Sequence, residues 1–252
     1  MPPNPYETDR LLAEYLLFHY GTEAELLPWP FGPREALDFP VRSVTGTFEP
    51  LPPEGRALDL GCAVGRSSFE LARHCRAVVG IDFSHRFIEA ARALQQHGVH
   101  PYERIDEGVL TTPLLARVPA GIDRSRVQFE TGDATHLRPD LGLFDAVLAA
   151  NLLCRLPDPR RCLARLPSLV KPGGQLVLTT PMTWMDDYTP REQWLGGYER
   201  KGQRIATLDG IREMLEPAFE LIRTTDLPLL IREHTRKYQW TVTQASLWRR
   251  RP

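Results

Sequence analysis

The chain has 252 residues, 42% apolar and 25% charged, a make-up that suits one α/β domain with decorations and is short for two independent cores. A net charge of −1 gives no bulk attraction for nucleic acid or an anionic membrane, and no apolar run reaches the length that spans a bilayer. The start, Met1-Pro2-Pro3-Asn4-Pro5, has no basic stretch followed by an apolar one, so no signal peptide is expected. Cys62, Cys75, Cys154 and Cys162 never form a C-x-x-C pair. They predict reduced thiols in a cytoplasmic protein and no zinc site. Arg249-Arg250-Arg251 is expected to be a solvated terminus.

Tyr6 to Tyr20 places Leu11, Leu12, Tyr15, Leu16 and His19 on one helical face, with Thr8 or Asp9 to cap the start and Gly21 at the end. This spacing predicts an amphipathic helix. Pro28 to Pro40 reads as an ordered loop, and Phe39-Pro40-Val41-Arg42 leads into the main domain. From residue 56 strands alternate with helices. Arg56 to Leu60 reads as a buried strand, Ser67 to His74 as a helix, Ala77 to Asp82 as a second strand and Phe87 to Gln96 as a second helix. Further strands are predicted at Val127 to Thr131, Phe144 to Ala150 and Gln175 to Thr180, with a helix from Pro159 to Val170. This order predicts an α/β fold, a mostly parallel sheet with helices on both faces and its strand C-termini along one edge. Leu227 to Ile231 and Tyr238 to Leu247 predict an antiparallel hairpin at the C-terminal sheet edge. Residues 1–54 are expected to cap the substrate site of a domain covering 55–252. An insertion at about 97–126 is too long for a bare loop, and a helix is expected in it around Val109 to Ala116.

The strongest local signal runs from Leu58 to Arg66, where a strand ends in a glycine turn and a helix opens. Gly61 and Gly65 let the backbone bend sharply and approach a ligand, and the helix start presents unpaired amides. Ala63 and Arg66 stand where a dinucleotide fingerprint needs its second and third glycines, which argues against NAD. Asp82 ends the second strand, where an acid accepts hydrogen bonds from both hydroxyls of a ribose. Helix capping is its competing role, since Ser84 follows. Gly132-Asp133-Ala134 follows the third strand, where an aspartate accepts from an adenine amine or serves a plain turn.

In this order, Asp59 to Gly65, Asp82, Asp133, the fourth strand ending at Asn151, and Lys171-Pro172-Gly173-Gly174 resemble the motifs of class I S-adenosylmethionine-dependent methyltransferases, over about residues 55 to 182. The resemblance implies a Rossmann-like methyltransferase fold with S-adenosyl-L-methionine as cofactor. It implies Asp82 on the ribose, Asp133 with Ala134 at the adenine, and the turn of Gly61, Cys62, Ala63 and Gly65 under the methionine portion. Asp59, Phe83, Asn151 and Arg42 complete the candidate cofactor contacts.

A narrower resemblance lies largely outside that core. Residues 6–12, 14–21, 30–33, 36–42 and 149–156 resemble a mercaptohistidine N-methyltransferase family, the methyltransferase portion of ovothiol biosynthesis. It implies methyl transfer to an imidazole nitrogen of 5-thiohistidine (4-mercaptohistidine). That family is often fused behind an iron-dependent sulfoxide synthase. Nothing in this chain resembles that half, so the resemblance implies a free-standing methyltransferase, with such a synthase as a functional partner supplying the precursor.

Methyl transfer from a sulfonium is an in-line displacement, and holding acceptor, methyl and sulfur in line is worth on the order of 7–11 kcal/mol in favourable cases. Trp184, Tyr188 and Trp194 follow the fifth strand, where an aromatic wall would serve the dispersing charge; ordinary loop core is their alternative. A base that frees the ring lone pair is sought among Asp186, Asp187, Glu7 and His19, with no motif to choose. Arg42 and Arg232 are candidates to grip a substrate carboxylate with two hydrogen bonds, Arg42 alternatively the methionine carboxylate. Asn151 is placed by topology beside the acceptor, and Tyr15 and Tyr20 are expected on a lid. The substrate is expected to be a small molecule, with no nucleic-acid or membrane partner. A different small-molecule amine, thiol or carboxylate acceptor, and a non-catalytic S-adenosylmethionine-binding protein, are the competing readings.

Overall fold

The structure, a computed structural model, describes residues 5–252, so Met1 to Asn4 lie outside the described residues. The N-terminal part folds as α1 (Asp9–Tyr20), α2 (Glu23–Leu26) and α3 (Phe39–Thr45). The main domain follows as β1 (Arg56–Leu60), α4 (Arg66–Leu71), β2 (Ala77–Asp82), α5 (His85–His97), β3 (Val99–Glu107), β4 (Leu110–Arg117), β5 (Val127–Thr131), β6 (Phe144–Ala150), α6 (Pro159–Arg165) and β7 (Val170–Thr180). The chain ends with β8 (Tyr198–Arg200), β9 (Gln203–Ile205), α7 (Thr207–Leu215), β10 (Phe219–His234) and β11 (Lys237–Arg250).

Short aliphatic runs such as those of β1 and β6 suit strands covered on both faces. They build one sheet in the order β10-β11-β7-β6-β1-β2-β5. The strands from β7 to β5 run parallel, and β11 and β10 return antiparallel at the β7 edge. This is the expected Rossmann-like arrangement with its C-terminal edge hairpin. Successive residues of a strand face opposite ways. Ala57, Leu148 and Val177 accordingly join Phe69 of α4 and Ile88 of α5, while Leu58, Val147 and Leu176 join Leu163 of α6 and Ile211 of α7. Strand order reverses at β1, so a crevice opens beyond the ends of β1 and β6, where ligands bind in such sheets.

The insertion corrects one expectation. Val109 to Ala116 is not a helix but the turn and second strand of the β3–β4 hairpin. Thr112, Leu114 and Ala116 face inward alternately with exposed neighbours, a period of two that a helix lacks. Pro101 and Pro113 fit because this is a two-stranded ribbon apart from the main sheet. Tyr102 and Leu114 of the hairpin pack against Leu17 of α1 and Leu26 of α2, so the insertion is the platform on which the N-terminal part rests. Helix α1 starts at Asp9, because the Thr8 hydroxyl accepts from Leu11 N and caps it, and Tyr6 belongs to the 3-10 turn before it.

The basic tail is also tied down more than expected. Arg249 pairs with Glu49, and Arg250 donates to the Ala218 carbonyl while lying over the Phe219 ring. No helix among the described residues is long and apolar enough to cross a membrane.

Candidate active site

The turn after β1 crosses directly onto β2. The amides of Gly61 and Cys62 both donate to the Ile81 carbonyl, at 2.8 and 3.1 Å. Gly61, Ala63 and Gly65 take left-handed backbone conformations, with φ of 72°, 48° and 86°. A β-carbon at Gly65 would stand 2.5 Å from the Phe129 ring of β5, so this position admits glycine on both conformational and packing grounds. Ala63 carries a β-carbon in that sparsely populated region. It is held there because its amide donates to Asp82 Oδ2 at 2.9 Å.

Asp82 therefore shapes the turn. Its Oδ1 accepts from Ser84 N at 2.9 Å. Capping of α5 falls to Ser84, whose hydroxyl accepts from Phe87 N, which removes the competing role for Asp82. Burial pushes the Asp82 carboxyl up to about 6, with the Ser84 and Ala63 amides offsetting part of the effect. A carboxylate offers about four acceptor positions; with two filled by amides, two suit the hydroxyls of a ribose. Phe83 beside it is 63% exposed.

The β5 turn is hinged to the same place, since Gly132 N donates to Asp82 O at 2.9 Å. Asp133 Oδ1 accepts from Thr135 N and Oγ1, both at 2.7 Å, and Oδ2 lies 3.0 Å from His136 Nδ1. Burial raises the Asp133 carboxyl, but these hydrogen bonds outweigh it and hold the group below its usual range. Ala134 is buried next to it. Asp59 faces inward instead. Its carboxyl accepts from the Ser68 hydroxyl at 2.7 Å, and burial, partly offset by that bond, pushes it up to about 7. It fastens α4 to β1 behind the turn. Cys62 is buried, and burial drives its thiol well above the ordinary range, so it is no nucleophile.

The N-terminal part reaches this turn. The Tyr20 hydroxyl donates to Val64 O at 2.7 Å, which makes Tyr20 a support of the turn. His19 lies beside it, with its Nδ1 buried and unpartnered. Burial, helped by the charge of Arg66, lowers the imidazole to about 3. His19 is therefore neutral near pH 7 and too weak a base for proton abstraction; what it offers is a hydrogen bond. The acceptor positions left on Asp82, the bare backbone at Gly61 and Gly65 and this orphaned imidazole nitrogen form a set that fits an adenosyl group with a polar tail.

Across the crevice, Asn151 follows directly on β6 with φ of 53°, a conformation that asparagine tolerates better than most residues. Its amide donates to the Thr179 carbonyl and its Oδ1 accepts from the Thr179 hydroxyl at 2.8 Å. That bond engages the carboxamide oxygen, and the group's remaining hydrogen-bonding capacity is its NH2 donors. Sequence reasoning assigned no role to Tyr6 or Arg155, which also stand here. Tyr15 stacks on Phe87 at 4.8 Å and reaches the Tyr6 hydroxyl, which is in hydrogen-bonding contact with Arg155. Arg155 in turn lies 4.7 Å from the centre of the Tyr188 ring. The Tyr6 carbonyl accepts from Ser84 Oγ at 2.9 Å, so this cluster spans from the end of β2 to the loops after β6 and β7. Its only sequence signal was the inclusion of residues 6 and 155 in the segments of the narrower resemblance.

Other candidates lie elsewhere. Arg42 donates to the carbonyls of Leu37 and Pro228, and Arg232, 3% exposed, donates to those of Glu25 and His234. Both fix the N-terminal part to β10, and neither is placed as a carboxylate clamp. Trp184 donates to Thr207 Oγ1 at 2.9 Å and stacks on Trp194, joining the core on the α6–α7 side instead of an aromatic wall. Glu7 accepts from the amides of His85 and Arg86 and is a cap of α5, not a base. Asp186 and Asp187 are exposed on the loop after β7. A cavity of about 650 Å³ lined by Trp29, Phe31, Tyr238 and Trp240 shares none of these site residues.

Comparison with known proteins bears on this geometry. Residues 58–178 match the family described as a methyltransferase domain. The ubiquinone biosynthesis O-methyltransferase of Xanthomonas axonopodis pv. citri is 30% identical over 151 residues, 60% of this chain and 53% of that protein. The O-methyltransferase cnsE of Penicillium expansum is 28% identical over 185 residues, 72% of this chain and 58% of that protein. The chain thus spans about half the length of these curated relatives. Among solved structures, N-methyltransferase NodS from Bradyrhizobium japonicum, in complex with S-adenosyl-L-homocysteine, covers 95% of this chain and 98% of its own at 17% identity and a TM-score of 0.52. An S-adenosylmethionine-dependent methyltransferase of Methanosarcina mazei covers 80% and 95% at 19% identity and a TM-score of 0.53. Sheet order and glycine turn agree with that match: residues 58–178 belong to a domain with the Rossmann-like fold of S-adenosylmethionine-dependent methyltransferases.

Proposed function

We propose that this protein transfers a methyl group from S-adenosylmethionine to an imidazole nitrogen of 5-thiohistidine. The observation that carries the cofactor half is the hinge at Asp82, which ties the turns after β1 and β5 to the end of β2 and keeps two acceptor positions for a ribose. In this reading Asp133 meets the adenine amine, the 61–65 turn and His19 Nδ1 meet the methionine portion, and Asn151 orients the acceptor. S-adenosylmethionine supplies an electrophilic methyl on a cationic sulfur. The chain's part is to hold the acceptor on the transfer line and to exclude water.

The acceptor half is supported by the narrower sequence resemblance. Four of its segments support it: residues 6–21 form the first helix and its lead-in, 36–42 fasten that part to β10, and 149–156 form the end of β6 and the turn beyond, while Phe31, Gly32 and Pro33 of segment 30–33 line the separate cavity beside Trp29. The thiolate of 5-thiohistidine is a better nucleophile than its ring nitrogen, so orientation has to keep sulfur off the line. Two curated relatives are O-methyltransferases by name, and transfer to an oxygen of another small molecule is the second reading.

The test is incubation with isotopically labelled S-adenosylmethionine and a panel of 5-thiohistidine, histidine, small thiols and phenols, with products located by mass spectrometry and NMR. The expected product carries the label on an imidazole nitrogen of thiohistidine. Label on sulfur, or turnover of phenols alone, contradicts the thiohistidine assignment.

A further inference from the structure

Arg155 stands at the acceptor side of the crevice in an unusual electrostatic setting. It ends the 3-10 turn Leu153–Arg155, just beyond Asn151. Its guanidinium lies over the Tyr188 ring at 4.7 Å, within the range at which a ring face attracts a cation. Nη1 donates to the carbonyls of Cys154 and Thr183 at 3.2 and 3.5 Å, which joins the loops after β6 and β7. Its other neighbours are Cys154 Sγ at 3.6 Å and the Tyr6 hydroxyl from the N-terminal part. No carboxylate among the described residues pairs with it. Arg66 pairs with Glu70 and Arg86 with Asp9; Arg42 and Arg232 rest on carbonyls as Arg155 does, but their guanidinium groups are spent on fastening the N-terminal part to β10, whereas that of Arg155 lies over a ring at the crevice.

A half-buried guanidinium without a counter-charge is costly to keep. A planar cation held by a ring face on one side, with donors left for a two-point contact, is the complement of a carboxylate. We propose that Arg155 grips a carboxylate of the methyl acceptor, with Tyr188 fixing the guanidinium plane and the Tyr6 hydroxyl completing the anion's shell. This deepens the methyl-transfer reading above and rests on it, but does not depend on which acceptor is used. It defines the substrate class as small molecules bearing a carboxylate beside the methylated atom's ring or chain. It also gives the N-terminal part a reason to close: an acceptor carboxylate bridges Arg155 of the β6 loop and Tyr6 of the lid.

The experiment uses the full chain saturated with S-adenosylhomocysteine. Matched pairs are titrated by calorimetry: 5-thiohistidine against its decarboxylated amine, and aromatic carboxylic acids against their carboxamides. Wild-type protein is expected to favour the carboxylate member of the pair it binds by about 30-fold, the size of a charge-assisted hydrogen-bond pair. Arg155→Gln is expected to lose that preference while keeping its affinity for the neutral member and for S-adenosylhomocysteine. Arg155→Lys is expected to recover part of it, and it stands in should the glutamine variant fail to fold. If thiohistidine does not bind but an aromatic acid does, with the same dependence on Arg155, the acceptor assignment fails and the clamp stands. If no carboxylate probe is favoured over its neutral partner, or if Arg155→Gln weakens both members equally, the clamp is overturned.

Discussion

Asp82 does two jobs with one carboxylate: it bonds two backbone amides and keeps the lone pairs a ribose needs. Only the ionised form has acceptors for both. Because burial raises its carboxyl to about 6, affinity for S-adenosylhomocysteine is expected to rise as pH rises through about 6, with a proton released on binding. Asp82→Asn should flatten that profile, and a wild-type affinity constant from about pH 5 to about pH 8 would contradict the assignment. Gly65 is a packing residue as much as a hinge. Gly65→Ala places a β-carbon 2.5 Å from the Phe129 ring at a φ of 86°, and should lower unfolding free energy by about 2–3 kcal/mol in urea titration. Both residues were legible in the sequence, because a glycine turn after a strand and an acid at the next strand end are local patterns. Arg155 was not, because its setting arises from Tyr6, Tyr188 and the Cys154 and Thr183 carbonyls, which only the fold brings together.

At the scale of elements, the N-terminal part is docked on the start of α5. Glu7 accepts from His85 N at 2.8 Å and Arg86 N at 3.4 Å, a carboxylate at a helix N-terminus where the dipole favours it. Glu7→Ala is expected to cost about 1 kcal/mol of docking. It should show as faster hydrogen exchange in residues 6–20 with the sheet unchanged. Protection that is lost evenly over the whole chain would mean that the contact is not a local latch. The parallel strands were readable because buried runs bounded by glycine and proline announce themselves. The β3–β4 hairpin was misread because Val109 to Ala116 combines proline, threonine and leucine with no clear helical period. Its alternation of two becomes visible once the partner strand and the α1 face it supports are in place.

Over the whole molecule, buried titratable groups pull stability in opposite directions. Asp59, raised to about 7, contributes stability that is present below its unfolded value and lost as pH rises through about 7. His19, lowered to about 3, contributes stability that is present above its unfolded value and lost as pH falls. Asp82, raised to about 6, acts in the same sense as Asp59, so the informative quantity for one group is a difference. Asp59→Asn should compare better with wild type at about pH 8 than at about pH 4, measured as urea midpoints, since the variant lacks a group that favours low pH. A gap between the two proteins that does not change with pH would show that Asp59 is not strained by burial in the folded state.

The central claim is that the turns after β1, β2 and β5 form one adenosyl site. Calorimetric titration of S-adenosylhomocysteine into wild-type protein and Asp82→Ala tests it most directly. Saturable one-to-one binding to the wild type is expected, with a loss of at least about tenfold in the variant while it remains folded by circular dichroism. Undiminished affinity in the folded variant, or no binding to the wild type, would contradict it.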